Sequence, residues 1–139
     1  MDGTFFGVFA AVLIIGALLT AMITLTKKGG KQLDVEKYRT KWLSIENHFK
    51  RDEESSYHLC ILNADKLLDQ ALREHGVRGN TMGERMKSAG ASWSNTNAIW
   101  TAHKLRNQIA HEPDVRVTYD TARYALASFK QALKDVGAI

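Results

Sequence analysis

From Phe5 to Leu25 the chain carries no charged residue (F-F-G-V-F-A-A-V-L-I-I-G-A-L-L-T-A-M-I-T-L). Coiled as a helix at about 1.5 Å per residue, this run measures roughly 31 Å, the thickness of the hydrocarbon core of a bilayer. The run therefore predicts a membrane span. A cleavable signal would need a basic n-region and a shorter apolar core. Here the n-region is Met1-Asp2-Gly3, while Lys27, Lys28 and Lys31 follow the run. The positive-inside rule then places the N-terminus outside and the remaining chain in the cytoplasm, held by a single-pass anchor in the cell membrane. Gly3, Gly7 and Ala11 form a small-residue ladder of the kind that lets two membrane helices approach closely, although such ladders also arise by chance.

The expected organisation is an anchor over residues 1–26, a Lys/Gly linker over 27–33 and a helical domain over 34–139. Beyond the anchor, nineteen Lys and Arg stand against fourteen Asp and Glu, a net charge of +5. That balance permits contact with RNA or anionic lipid and by itself argues for neither. Cys60 is the lone cysteine and falls within an apolar helical pattern, which reads as an inert core thiol in a reducing compartment. His58 lies only two positions away, a separation that a helix does not turn toward one ligand. No metal-ligand spacing appears, and no cofactor is expected.

Apolar residues recur at helical spacing along the rest of the chain. Asp34 is the expected N-cap of a first helix, with Val35, Tyr38, Trp42, Ile45 and Phe49 as its stripe. The polar run 50–56 reads equally as a turn or as exposed helix. A second helix buries Tyr57, Cys60, Ile61, Ala64, Leu67, Leu68, Ala71 and Leu72, and Gly76 fits the position just past its end. Asp65 and Asp69 lie four apart on it. They could bind a cation or do acid–base work, but a solvated, ion-paired face is the simpler reading. Thr81 and Glu84 form a capping box for a short helix from Met82 to about Ala89. The glycines nearby lack the Gly-Lys-Ser/Thr ending of a phosphate loop.

A further helix is expected to start between Ser94 and Thr96, to bury Ile99, Ala102, Leu105 and Ile109, and to stop before Pro113. Thr118 caps a last helix carrying Tyr119, Ala122, Leu126, Phe129, Leu133 and Val136 on one face. No stretch alternates with period two, so the predicted class is all-α, an antiparallel four-helix bundle with a short inserted helix.

The chemistry concentrates in Ala102–Glu112 (A-H-K-L-R-N-Q-I-A-H-E), where Arg106, Asn107 and His111 stand close together. An arginine fork suits phosphate oxygens, a histidine exchanges protons near neutral pH, and an amide can orient either. The bland reading is that Arg106 pairs with an acid and His111 meets the dipole of its own helix end. Arg106 and His111 differ by five positions, about 140° around a regular helix, so they do not converge within one straight helix. A distorted helix end, a long reach by the arginine, or a second subunit is required.

The segment Lys104-Leu105-Arg106-Asn107-Gln108-Ile109-Ala110-His111 resembles the signature of the HEPN superfamily. That signature is an arginine, often followed by a polar residue, and then a histidine after four to six intervening residues, late in an all-α bundle. The resemblance spans about residues 34–137, with its specific part in these eight. It implies a homodimer whose two motif copies face each other as a metal-independent endoribonuclease that leaves a 2′,3′-cyclic phosphate. Carried over by position, Arg106 would stabilise the phosphate, His111 would move protons and Asn107 would assist, with Arg106, Lys104 and His103 as the RNA contacts. The chain departs from members whose motif continues to a tyrosine two residues past the histidine, because Pro113 stands there. Many HEPN-like domains are inactive, so the alternative is a non-catalytic helical module that binds RNA or a protein partner at the membrane.

Overall fold

The computed structural model describes residues 2–26 and 30–139, with side chains described over 3–23 and 30–139. Lys27 and Lys28, on which the expected orientation in the membrane partly rests, lie outside the described residues. Two compact units are present, Met1–Gly30 and Lys31–Ile139. The first is the helix α1 (Asp2–Thr26), whose segment Gly3–Ile23 has a mean hydropathy of 2.6 and is unburied throughout. It is apolar and long enough to cross a membrane, as the uncharged run predicts.

The second unit is a helical bundle of α2 (Val35–His48), α3 (Glu54–Glu74), α4 (Met82–Ser88), α5 (Thr96–His111) and α6 (Tyr119–Asp135), with a 3₁₀ turn at Gly90–Ser92. No strand occurs among the described residues. The broad apolar face of α3 allows it to pack against α2, α4, α5 and α6. Tyr38, Ile61, Leu68, Leu72, Met86, Phe129 and Leu133 are fully buried at the centre. The stripes expected on α2, α3 and α6 point inward. On α5 the stripe is only half realised, because Ile99 and Ala102 are buried whereas Leu105 and Ile109 are half-exposed.

Local signals explain where the helices begin and end. Asp34, Thr81, Asn95 and Thr118 each accept a hydrogen bond from the backbone N–H three residues on. At the end of α3, Gly76 adopts φ +86°, its N–H bonds the Arg73 carbonyl, and Val77 N–H bonds that of Leu72. This paired closure needs a left-handed residue, which glycine supplies without strain. Glu84 departs slightly from the expected capping box: its carboxylate accepts from Asn80 N–H at 2.6 Å, one residue before the cap.

Residues 50–53 prove to be a turn, and α3 begins at Glu54, three residues before the expected apolar stripe. The reason is aromatic. Phe49 stacks on Tyr119 with centroids 5.2 Å apart and tilts against Tyr57 at 5.3 Å, so α2 must stop there. Ser56 Oγ then fastens the turn by accepting from Lys50 N–H at 3.0 Å.

A polar knot joins α2 to the end of α3. Tyr38 donates to Glu74 at 2.5 Å, and Lys37 and Gln70 donate to the same carboxylate at 3.0 Å each. These donors, Tyr38 first, hold the Glu74 carboxyl down at about 2, below its ordinary 4.5. Burial, with the Glu74 hydrogen bond second, pushes the Tyr38 hydroxyl up. A carboxyl depressed on folding contributes stability that is complete above its unfolded value and is lost as pH falls through its folded one. The domain is therefore expected to lose stability progressively from about pH 4.5 toward pH 2. Glu74→Gln should flatten that slope, as read by urea unfolding at stepped pH. Tyr38 acts at the opposite end, and its contribution fades only as pH rises above the ordinary tyrosine value of 10.0.

Candidate functional site

Helix α5 carries the predicted motif, and its neighbours decide which motif residues meet. His103, Arg106 and Asn107 are three and four positions apart, so they share one side of the helix. Facing them from α3 is Asp65. His103 Nδ1 lies 2.6 Å from Asp65 Oδ1, with both side chains at or below 10% exposure. Arg106 Nε lies 3.3 Å from Asp65 Oδ2, within ion-pairing distance, but its N–H is not aimed at the oxygen and makes no hydrogen bond. Arg106 Nη1 donates to Asn107 Oδ1 at 3.0 Å, and Asn107 Nδ2 approaches His103 Nε2 at 3.4 Å. One buried carboxylate thus orients two motif side chains, and Asn107 bridges their outer edges.

His111 is elsewhere. It is the last residue of α5, is exposed, and has no hydrogen bond or ion pair to Arg106 among the described residues. The helix is not deformed so as to bring the two together. Its end is ordinary, with Glu112 in extended conformation and its N–H bonded to the Gln108 carbonyl. The segment beyond Pro113 is tied down by Glu54, which accepts from Val117 N–H at 2.9 Å and pairs with Arg116 at 3.1 Å. Those donors, the Val117 amide first, lower the Glu54 carboxyl.

One expectation is corrected here. Asp65 and Asp69 do not lie on a solvated face, for they are only 3% and 8% exposed. Asp69 Oδ1 accepts from Arg85 Nε at 2.6 Å, while Oδ2 accepts from Arg85 Nη2 at 3.1 Å and from Arg73 Nη2 at 2.6 Å. Burial alone would raise the Asp69 carboxyl, but the two guanidinium groups outweigh it and bring it below the ordinary value. This pair has a structural role, fixing α4 against α3. Arg85 also donates to the Gly79 carbonyl at 2.8 Å, and a Cβ at Gly79 would fall 2.7 Å from Arg85 N. His103 and Lys104, named together as RNA contacts, differ in their surroundings. His103 is buried against Asp65, and only Lys104 of the pair is freely exposed.

With α4 held in place, an open groove of about 640 Å³ runs between Gly83 on α4 and the α5 residues Asn97, Trp100, Thr101, His103, Lys104 and Asn107. Trp100 meets His103 edge-on, with centroids 6.1 Å apart. The groove offers an aromatic face, two amides, a lysine and an imidazole on its wall, and the Arg106 guanidinium adjoins it through Asn107. Among the described residues no three His, Cys, Asp or Glu side chains are placed to hold a metal ion. Cys60 is buried, its thiol pushed up by burial, and its Sγ lies 3.4 Å from the Ile45 carbonyl, as a packed core thiol should.

Family models, curated proteins and solved structures give no match to this chain.

Proposed function

We propose that the chain is a single-pass membrane protein whose cytoplasmic unit is an antiparallel HEPN-like bundle acting as a metal-independent endoribonuclease. The observation that carries the reading is the convergence of Asp65, His103, Arg106 and Asn107 on one side of α5. Asp65 and Asn107 restrain Arg106 from two directions, yet its side chain stays 34% exposed, so free N–H groups remain for phosphate oxygens. A guanidinium oriented before the substrate arrives stabilises charge as it builds, without reorganising at that moment. His111 lies too far round the helix to join its own Arg106, so the site is completed by His111 of a second copy in a symmetric dimer. Confinement of both copies to a membrane surface favours that encounter.

The test uses the full chain in detergent micelles with a chelator and a mixed-sequence single-stranded RNA. Cleavage that leaves 2′,3′-cyclic phosphate ends is expected, and His111→Ala should abolish it. A wild-type chain that leaves the RNA intact but retains it, or captures a defined protein partner, would favour the alternative of a non-catalytic binding module.

A further inference from the structure

We infer that His103, oriented by Asp65 and opening on the α4–α5 groove, is the base that takes the proton from the ribose 2′-hydroxyl. The inference rests on the endoribonuclease reading and adds a catalytic residue that the arginine-to-histidine spacing does not contain.

Asp65 is a carboxylate that only accepts, so the 2.6 Å contact puts the proton of neutral His103 on Nδ1 and leaves Nε2 as an acceptor. His103 lines the groove, and among the described residues the hydrogen-bond partner of Nε2 is Asn107 Nδ2 at 3.4 Å, the longest bond in the cluster. A hydroxyl donating to Nε2 can replace that contact at small cost, because a bond at this length is weak. The Asp65 bond, in contrast, is short and buried. It holds the ring in one tautomer and stabilises the imidazolium formed when the proton arrives. Arg106 meets the other oxygen of the same carboxylate. A phosphate on the Arg106 fork would therefore lie next to a hydroxyl on His103. Trp100 and Lys104 line the same groove, an aromatic face for a base and a cation for the adjoining phosphate.

The step balances. The 2′-hydroxyl proton passes to His103 Nε2, the freed oxygen pair forms a bond to phosphorus, and the bond from phosphorus to the 5′-oxygen breaks. The leaving oxygen keeps that electron pair and takes a proton from protonated His111 of the opposing copy. His103 then returns its proton to solvent.

His103→Asn is the informative variant, because its amide can still donate to Asp65 while the titratable ring is gone. With the full chain in micelles, cleavage of single-stranded RNA is expected to fall by about 10²–10⁴-fold. Binding of the same oligonucleotide made with 2′-deoxyribose should stay within about twofold, since phosphate contacts dominate affinity. Cleavage within a few-fold of wild type by a folded His103→Asn chain would overturn the inference and leave the ribonuclease reading standing. A wild-type chain that cuts no RNA would overturn both. A second measurement needs no variant. The His103 ring resonances of the wild-type chain are expected to move on titration with a nucleoside 3′-monophosphate, and unmoved resonances at saturation would contradict the assignment.

Discussion

Asp69→Ala is expected to destabilise the helical unit by about 3–5 kcal/mol, because it strands the Arg85 guanidinium inside the fold. The Arg85 side chain is 9% exposed, and its two bonds to Asp69 are its attachment to α3. Removing the carboxylate leaves a largely buried guanidinium whose remaining partner is the Gly79 carbonyl, with no counter-charge. A loss of that size is a large share of the roughly 5–15 kcal/mol that holds a typical domain together. Arg73→Ala provides the contrast. Arg73 is 65% exposed and returns to water when its bond breaks, so its loss should cost under about 1 kcal/mol. Asp69→Ala combined with Arg85→Met should recover most of the stability, since an apolar pair of similar volume needs no partner. Trp42, Trp93 and Trp100 all lie in the unit Lys31–Ile139, so tryptophan fluorescence during urea unfolding of the full chain follows this unit alone. An Asp69→Ala midpoint equal to that of Arg73→Ala would show that the buried pair does not fasten α4.

Much of this fold is legible in the sequence because it depends on local chemistry. Asp34, Thr81 and Thr118 announce helix starts, Gly76 and Pro113 announce ends, and spacing of three and four places the stripes of α2, α3 and α6 inward. The break at Phe49 was not decidable in that way. It follows from Phe49 meeting Tyr119, seventy positions on, and a polar run like 50–56 is compatible with either outcome. Asp65 and Asp69 misled for the same reason. A carboxylate on a helix reads as solvated unless its partners are known, and these partners come from α4 and α5. At the site, the sequence gives the separation of Arg106 from His111. The carboxylate that draws His103 and Arg106 together stands 38 positions before His103. Its one prior signal was an acid interrupting an otherwise broad apolar face.

Arg106→Ala is expected to reduce RNA cleavage by about 10²–10³-fold, the scale seen when one preorganised stabiliser of transition-state charge is removed. Stability should change far less than in Asp69→Ala. The arginine is 34% exposed and Asp65 keeps its bond to His103, so no buried charge is left alone. Arg106→Lys should not restore activity. An ammonium can meet Asp65 or a phosphate, but it lacks the planar fork that lets Arg106 face Asp65 and Asn107 while presenting free N–H groups outward. Lysine activity close to wild type would mean that the site needs only a positive charge.

The most direct test of a site shared between two copies is to mix two impaired ones. Arg106→Ala and His111→Ala chains, each with at most about a hundredth of wild-type cleavage alone, are co-incorporated in micelles at equal amounts and assayed on single-stranded RNA. If Arg106 of one copy works with His111 of the other, each mixed dimer holds one intact site. Random pairing then returns about a quarter of wild-type cleavage at the same total protein. A mixture no more active than its components, beside a wild-type chain that cleaves, would contradict the shared site.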